Sequence, residues 1–79
     1  MVRGFGRAVA LLRAERGMSQ YRLAKESGLT QTGLRWIETA DRGPTLASAL
    51  AIAEALGVGL EELVRLARRA AGEADAAAT

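Results

Sequence analysis

Apolar residues recur at three- and four-residue spacing from near the start of the chain, the mark of helices that bury one face. Phe5, Val9, Leu12 and Arg16 repeat at that interval, Ala8 and Leu11 widen the stripe, and the run stops at Gly17. Met18 leads into Ser19, whose side-chain oxygen suits a helix cap. Leu23 and Ala24 then give the inward face of a second helix of about two turns, ending at Gly28. Thr30 can cap again, and Leu34, Ile37 and Glu38 line one side of a third helix. Gly43 and Pro44 break the pattern. Thr45 caps a fourth helix carrying Leu46, Ala49, Leu50, Ala53 and Leu56, and Gly57 closes it. Beyond Val58 and Gly59, a fifth helix is marked by Leu60, Leu63, Val64 and Ala67. Glu61 and Glu62 stand at its positive end and Arg65, Arg68 and Arg69 at its negative end, the order that suits the helix dipole. No stretch alternates with period two long enough to form a strand. The pattern therefore predicts an all-α fold of five short helices over residues 1–71. The small, polar, aperiodic stretch 72–79 predicts a flexible C-terminal tail.

Composition narrows the chemistry. The 79 residues give room for one small domain, with no length left for a second catalytic or ligand-sensing one. A chain of this size buries only about 60% of its unfolded surface, so the core must be compact. Cysteine and histidine are both absent. That excludes a disulfide framework and removes the usual zinc ligands and the usual general base, so no enzyme, cofactor or metal site is expected. Gly4-Phe5-Gly6 lacks the preceding strand and third glycine of a nucleotide loop. Glu61 and Glu62 are neighbours pointing different ways, which fits a dipole role better than an acid pair. Ser19, Ser27 and Ser48 have no histidine to activate them. No apolar run reaches the roughly 18 residues of a spanning helix, and the N-terminus lacks the apolar core of a signal peptide, so a soluble, cytoplasmic protein without a membrane partner is expected.

The net charge of +2 hides an asymmetry. Residues 1–44 carry eight basic and four acidic side chains, a balance of +4, whereas residues 45–79 carry three and five, a balance of −2. Such a split fits a polyanion-binding face in the first half, and it also fits an ordinary arginine-rich solvated surface.

Ser19 to Glu38 reads as helix, tight turn, helix. Gly28 stands where a short turn between nearly perpendicular helices needs a positive φ, and Ala24 is small where the two helices approach most closely. Around this unit the chain resembles the Cro and phage-repressor type of helix-turn-helix domain, the XRE family. The resemblance is carried by Phe5-Gly6, Val9, Leu12-Arg13, Gly17-Met18-Ser19-Gln20, Leu23-Ala24, Gly28-Leu29-Thr30, Leu34, Ile37-Glu38, Pro44, Leu56-Gly57-Val58 and Leu60-Glu61-Glu62-Leu63. It covers nearly three quarters of the chain in unbroken register. The likeness implies a five-helix, lambda-repressor-like DNA-binding domain whose second and third helices form the reading unit.

The resemblance also implies roles for individual residues. Arg13 and Glu38 match positions that form an ion pair tying the first helix to the third. Gln20 matches a glutamine that touches phosphate and braces the first residue of the reading helix, here Gln31. Ser19 and Gln20 also place free backbone N–H groups at a positive helix end, which suits a phosphate oxygen. Projected at about 100° per residue from Gln31, the third helix puts Thr32, Arg35, Trp36 and Thr39 on an outward arc between roughly 40° and 140°. Leu34, Ile37 and Glu38 fall between roughly 240° and 340°. A rod spanning about residues 30–39 fits the major groove. There Gln31 can pair with adenine, Arg35 can pair with guanine or fall back on phosphate, and the Thr32 methyl can meet thymine. Thr39 is a further phosphate contact, and Arg42 is either a phosphate contact or a solvated loop arginine.

Three positions depart from the family pattern: Gly33 replaces Ser or Thr, Trp36 a polar residue, and Ala40 a glycine. Gly33 suggests a close backbone approach, such as to DNA sugar-phosphate. Trp36 is open between groove contact, packing on its own chain and contact with a partner. Leu60, Val64 and Leu66 are candidates for a homodimer interface or are ordinary core residues. The reading that follows is a transcriptional regulator, a repressor, bound as a homodimer to a double-stranded DNA operator. The competing reading is an antitoxin-like or adaptor protein that uses the same fold to grip a protein partner.

Overall fold

The computed structural model describes the backbone of residues 2–78 and the side chains of residues 2–72. The chain forms α1 (Val2–Glu15), α2 (Gln20–Ser27), α3 (Gln31–Glu38), α4 (Leu46–Leu56) and α5 (Leu60–Ala78), with no strand among the described residues. Three of the starts are capped as the sequence predicts. The Ser19 hydroxyl oxygen accepts the Arg22 amide at 3.0 Å, Thr30 accepts that of Gly33 at 2.9 Å, and Thr45 accepts that of Ser48 at 3.0 Å.

Each helix sends one large side chain to the centre. Val9, Leu23, Leu34, Ile52 and Leu63 are all fully buried, and Phe5, Leu12, Met18, Ile37 and Leu56 fill the space around them. In α4 the stripe is rotated from the expected one. The buried residues are Ala49, Ile52, Ala53 and Leu56, while Leu46 and Leu50 face outward at 70% and 42% exposure. A helix so rich in alanine and leucine is apolar on every side, and its periodicity does not single out a face. Leu11 likewise lies outside the core of α1 at 56% exposure.

Small residues let α1 lie close to its neighbours. A Cβ at Gly4 would meet the Ala67 carbonyl oxygen and come within 2.9 Å of the Ala71 nitrogen. One at Gly6 would meet the Ile37 carbonyl and come within 2.8 Å of the Glu38 carbonyl. The Gly4-Phe5-Gly6 run thus sets backbone against backbone: α1 lies on α5 on one side and crosses the C-terminal end of α3 on the other.

The α5 backbone continues as helix to Ala78, past residue 71, where the sequence pattern places the end of the domain. Alanine is the strongest helix former, so an alanine-rich stretch remains helical without an apolar period. The side chains of the expected tail beyond Gly72 lie outside the described residues. No helix among the described residues is long and apolar enough to cross a membrane.

Candidate nucleic-acid interface

The turn between α2 and α3 has the conformation its residues demand. Gly28 sits at φ 73°, and the Leu29 amide donates to the Ala24 carbonyl at 2.8 Å beneath it. Ala24 is buried at the crossing, and Leu34 and Ile37 pin α3 from below. The inner face of α3 is thereby fixed. Gln31, Thr32, Arg35, Trp36 and Thr39 are left exposed on the outer one, as the projection expects.

The far end of α3 is held by a clamp. Arg13 Nε donates to Glu38 Oε2 at 2.8 Å, Arg13 Nη2 to Glu38 Oε1 at 3.1 Å, and Arg13 Nη1 to the Met18 carbonyl at 2.9 Å. The Glu38 side chain is only 5% exposed and that of Arg13 20%. The hydrogen bond to Glu38 raises the Arg13 pKa above its ordinary value. Partial burial pulls it back, and the Coulomb attraction of Glu38 raises it again. Gln20 completes the clamp by donating from Nε2 to Glu38 Oε1 at 3.0 Å. The family resemblance implies that Gln20 braces Gln31. In the structure its amide nitrogen braces the buried carboxylate instead, and no hydrogen bond joins it to Gln31 among the described residues. One carboxylate therefore ties α1, α2 and α3 together, while the N–H groups of Gln20 and Tyr21 in the first turn of α2 have no intrahelical acceptor.

Beyond α3 the chain turns back on itself. The Ala40 amide donates to the Ile37 carbonyl at 3.2 Å and the Asp41 amide to that of Trp36 at 2.9 Å, the paired bonds of a Schellman ending. The left-handed position in this motif belongs to Ala40 at φ 67°, where the family glycine is missing. The Thr39 hydroxyl donates to the Arg35 carbonyl at 2.9 Å and lies 3.1 Å from Asp41 Oδ2. Its proton is thus engaged within its own chain. The Arg42 guanidinium carbon lies 4.2 Å from the centroid of the Trp36 ring, a cation–π contact that answers the open question about Trp36 in part: 38% of the residue is exposed, and its own chain covers one face. The surroundings of Gly33 lie inside the chain but do not by themselves demand a glycine, since Arg22 and Ser48 fill the same capped position in α2 and α4. The Gly33 amide is the one capped by Thr30, and a Cβ there would come within 3.0 Å of the Thr30 hydroxyl oxygen.

The three interface candidates separate. Leu60 and Val64 share a groove of about 310 Å³ with Val2, Phe5, Pro44 and the exposed Leu46, whereas Leu66 lies in another groove with Leu11 of α1. Leu60 and Leu66 are half-buried and also pack against the core. Two outward-facing residues are not singled out as such by the sequence pattern. Tyr21 is 62% exposed in the first turn of α2, beside the unpaired amides, and its only signal is an aromatic side chain off the apolar stripe. Leu46, which the periodicity of α4 places on the inner stripe, stands outward. Among the described residues no cluster of three acidic, histidine or cysteine side chains could hold a metal.

A family model described as Helix-turn-helix matches residues 9–63. The chain is 39% identical over 59 residues to the uncharacterized HTH-type transcriptional regulator y4dJ of Sinorhizobium fredii (strain NBRC 101917 / NGR234), an alignment covering 75% of this chain and 77% of that one. Its fold is similar to that of the restriction-modification controller protein C.AhdI from Aeromonas hydrophila, with a TM-score of 0.76 and 34% identity over 78% of this chain and 94% of that chain. The clp gene regulator ClgR from Corynebacterium glutamicum has the same fold at a TM-score of 0.85 and 22% identity, over 92% of this chain and 79% of that one.

Proposed function

The chain belongs to the helix-turn-helix family of the Cro and phage-repressor (XRE) type, a family of DNA-binding transcriptional regulators, and from that premise we propose that it reads a specific duplex sequence with α3 in the major groove. One observation carries the reading. The inner face of α3 is locked by Leu34, Ile37 and the Glu38 clamp, while Gln31, Thr32 and Arg35 stand exposed and Arg35 takes part in no ion pair among the described residues. Gln31 offers the paired donor and acceptor that adenine presents in reverse, Arg35 the fork that fits guanine, and Thr32 a methyl for thymine. Around them Ser19, Gln20 and Arg42 meet the backbone phosphates. Because the Thr39 hydroxyl proton is engaged within its own chain, Thr39 contributes less.

A reading helix of two turns makes few base contacts, so the protein acts as a homodimer on a pseudo-palindrome with half-sites about one helical turn apart. The groove bearing Leu60 and Val64, with Leu46 exposed at its edge, is the surface that pairs. A dimer lying across a promoter excludes the transcription machinery by occupancy alone, which makes repression the simplest output.

Selection of bound sites from a random duplex pool, followed by titration of the selected site against salt, tests the reading. A DNA-binding regulator loses affinity steeply as salt rises and prefers the selected site over random duplex. Little duplex affinity even at low salt would instead assign the fold to an adaptor that grips a protein.

A further inference from the structure

Trp36 is the one large aromatic on the outward face of α3, yet it stands at the edge of that face and is partly covered by Arg42. The backbone around it is built to hold that cover in place. The Trp36 carbonyl accepts the amides of both Asp41 and Arg42, at 2.9 and 3.3 Å, so the residue that presents the ring also fixes the loop that carries the guanidinium. Closing that loop requires Ala40 to hold a left-handed conformation that L-residues resist. The neighbouring acid does not pair with it: Asp41 Oδ2 lies 3.1 Å from the Thr39 hydroxyl oxygen, and Arg42 forms no ion pair among the described residues. Arg42 is therefore exposed, uncompensated in charge, and restrained on a neutral surface.

We infer that Trp36 is a positioning residue. Its ring is a platform that aims the Arg42 guanidinium at a backbone phosphate flanking the bases that α3 reads, and Trp36 itself reads no base. The inference rests on the DNA-binding reading above. An arginine stacked on an aromatic plane keeps its N–H fork free at the edge, the geometry that suits a phosphate oxygen, and it loses less conformational freedom on binding than a solvated one.

The test is a double-mutant cycle in Trp36→Ala and Arg42→Ala, with Trp36→Phe as the conservative variant, measured on the selected site and on random duplex across a salt series. All three changes are at the surface, and thermal melts verify that the variants fold. Each alanine variant is expected to lose roughly tenfold in affinity on both duplexes alike, the scale of one charge-assisted contact. Each should also lower the salt slope by about one. The double variant should be no weaker than Arg42→Ala alone, and Trp36→Phe should keep most of the wild-type slope. A Trp36→Ala variant that changes base preference with an unaltered slope would make Trp36 a direct reader and overturn the proposal. Additive losses would overturn it too, as would a harmless Trp36→Ala. If the wild-type protein itself binds no duplex at low salt, the DNA-binding reading fails and the platform falls with it; a normal wild-type titration with independent variants rejects the platform alone.

Discussion

Removing the Glu38 carboxylate should cost this domain a large share of its stability. The group accepts two hydrogen bonds from the Arg13 guanidinium and one from Gln20, and its side chain is almost wholly excluded from water. Breaking a fully buried ion pair by deleting one partner costs about 3–5 kcal/mol, because the remaining charge is left without compensation. Here the remaining charge is Arg13, one fifth exposed and still donating to the Met18 carbonyl, so water and that carbonyl recover part of the loss. Glu38→Ala should therefore lose about 2–3 kcal/mol. For a domain whose total stability is roughly 4–12 kcal/mol at this length, the melting temperature should fall by roughly 8–24 °C. Urea denaturation of Glu38→Ala, Arg13→Met and the double variant measures the pair directly. The two single losses should exceed the double loss by about 1.5 kcal/mol or more, since either change alone already breaks the contact. Strictly additive losses, or a Glu38→Ala protein within about 0.5 kcal/mol of wild type, would refute the view that this carboxylate joins three helices.

Four further outcomes follow from the same geometry. Gly6→Ala adds about 1 kcal/mol of helix propensity but drives a Cβ into the Ile37 and Glu38 carbonyls, and the net result in a thermal melt should be a loss of about 1–3 kcal/mol or failure to fold. Ala40→Gly relieves the left-handed alanine at φ 67° and should stabilise by about 0.5–1 kcal/mol in urea unfolding, although it adds backbone freedom to the unfolded chain. Gln31→Ala should narrow the difference in affinity between the selected site and random duplex by about 1–3 kcal/mol; equal losses on both would remove Gln31 from base reading. Leu46→Glu places a charge on an already exposed residue, so folding should be unaffected, while sedimentation equilibrium should show the proposed homodimer weakened by tenfold or more.

The parts of this fold that could be read from the sequence are those in which one residue type has one physical use. Ser19, Thr30 and Thr45 cap the helices they were expected to cap, Gly28 makes the turn, and the exposed arc of α3 follows from its period. Where a residue type serves several ends, the pattern is silent. Alanine and leucine on every side of α4 conceal which of its faces is buried, and the glycines of α1 gave no sign that two other backbones press on them. The candidate site divides along the same line. Gln31, Thr32 and Arg35 follow from periodicity, whereas the Arg42–Trp36 contact joins residues six apart. On a continuous helix these would stand about 9 Å apart along the axis and on different faces. They meet because Ala40 reverses the chain, and an alanine carries no mark of a left-handed conformation. The same turn would form with the family glycine at residue 40 and with less strain, so what is particular to this chain is the ring: Trp36 stands where the reversed chain brings the Arg42 cation.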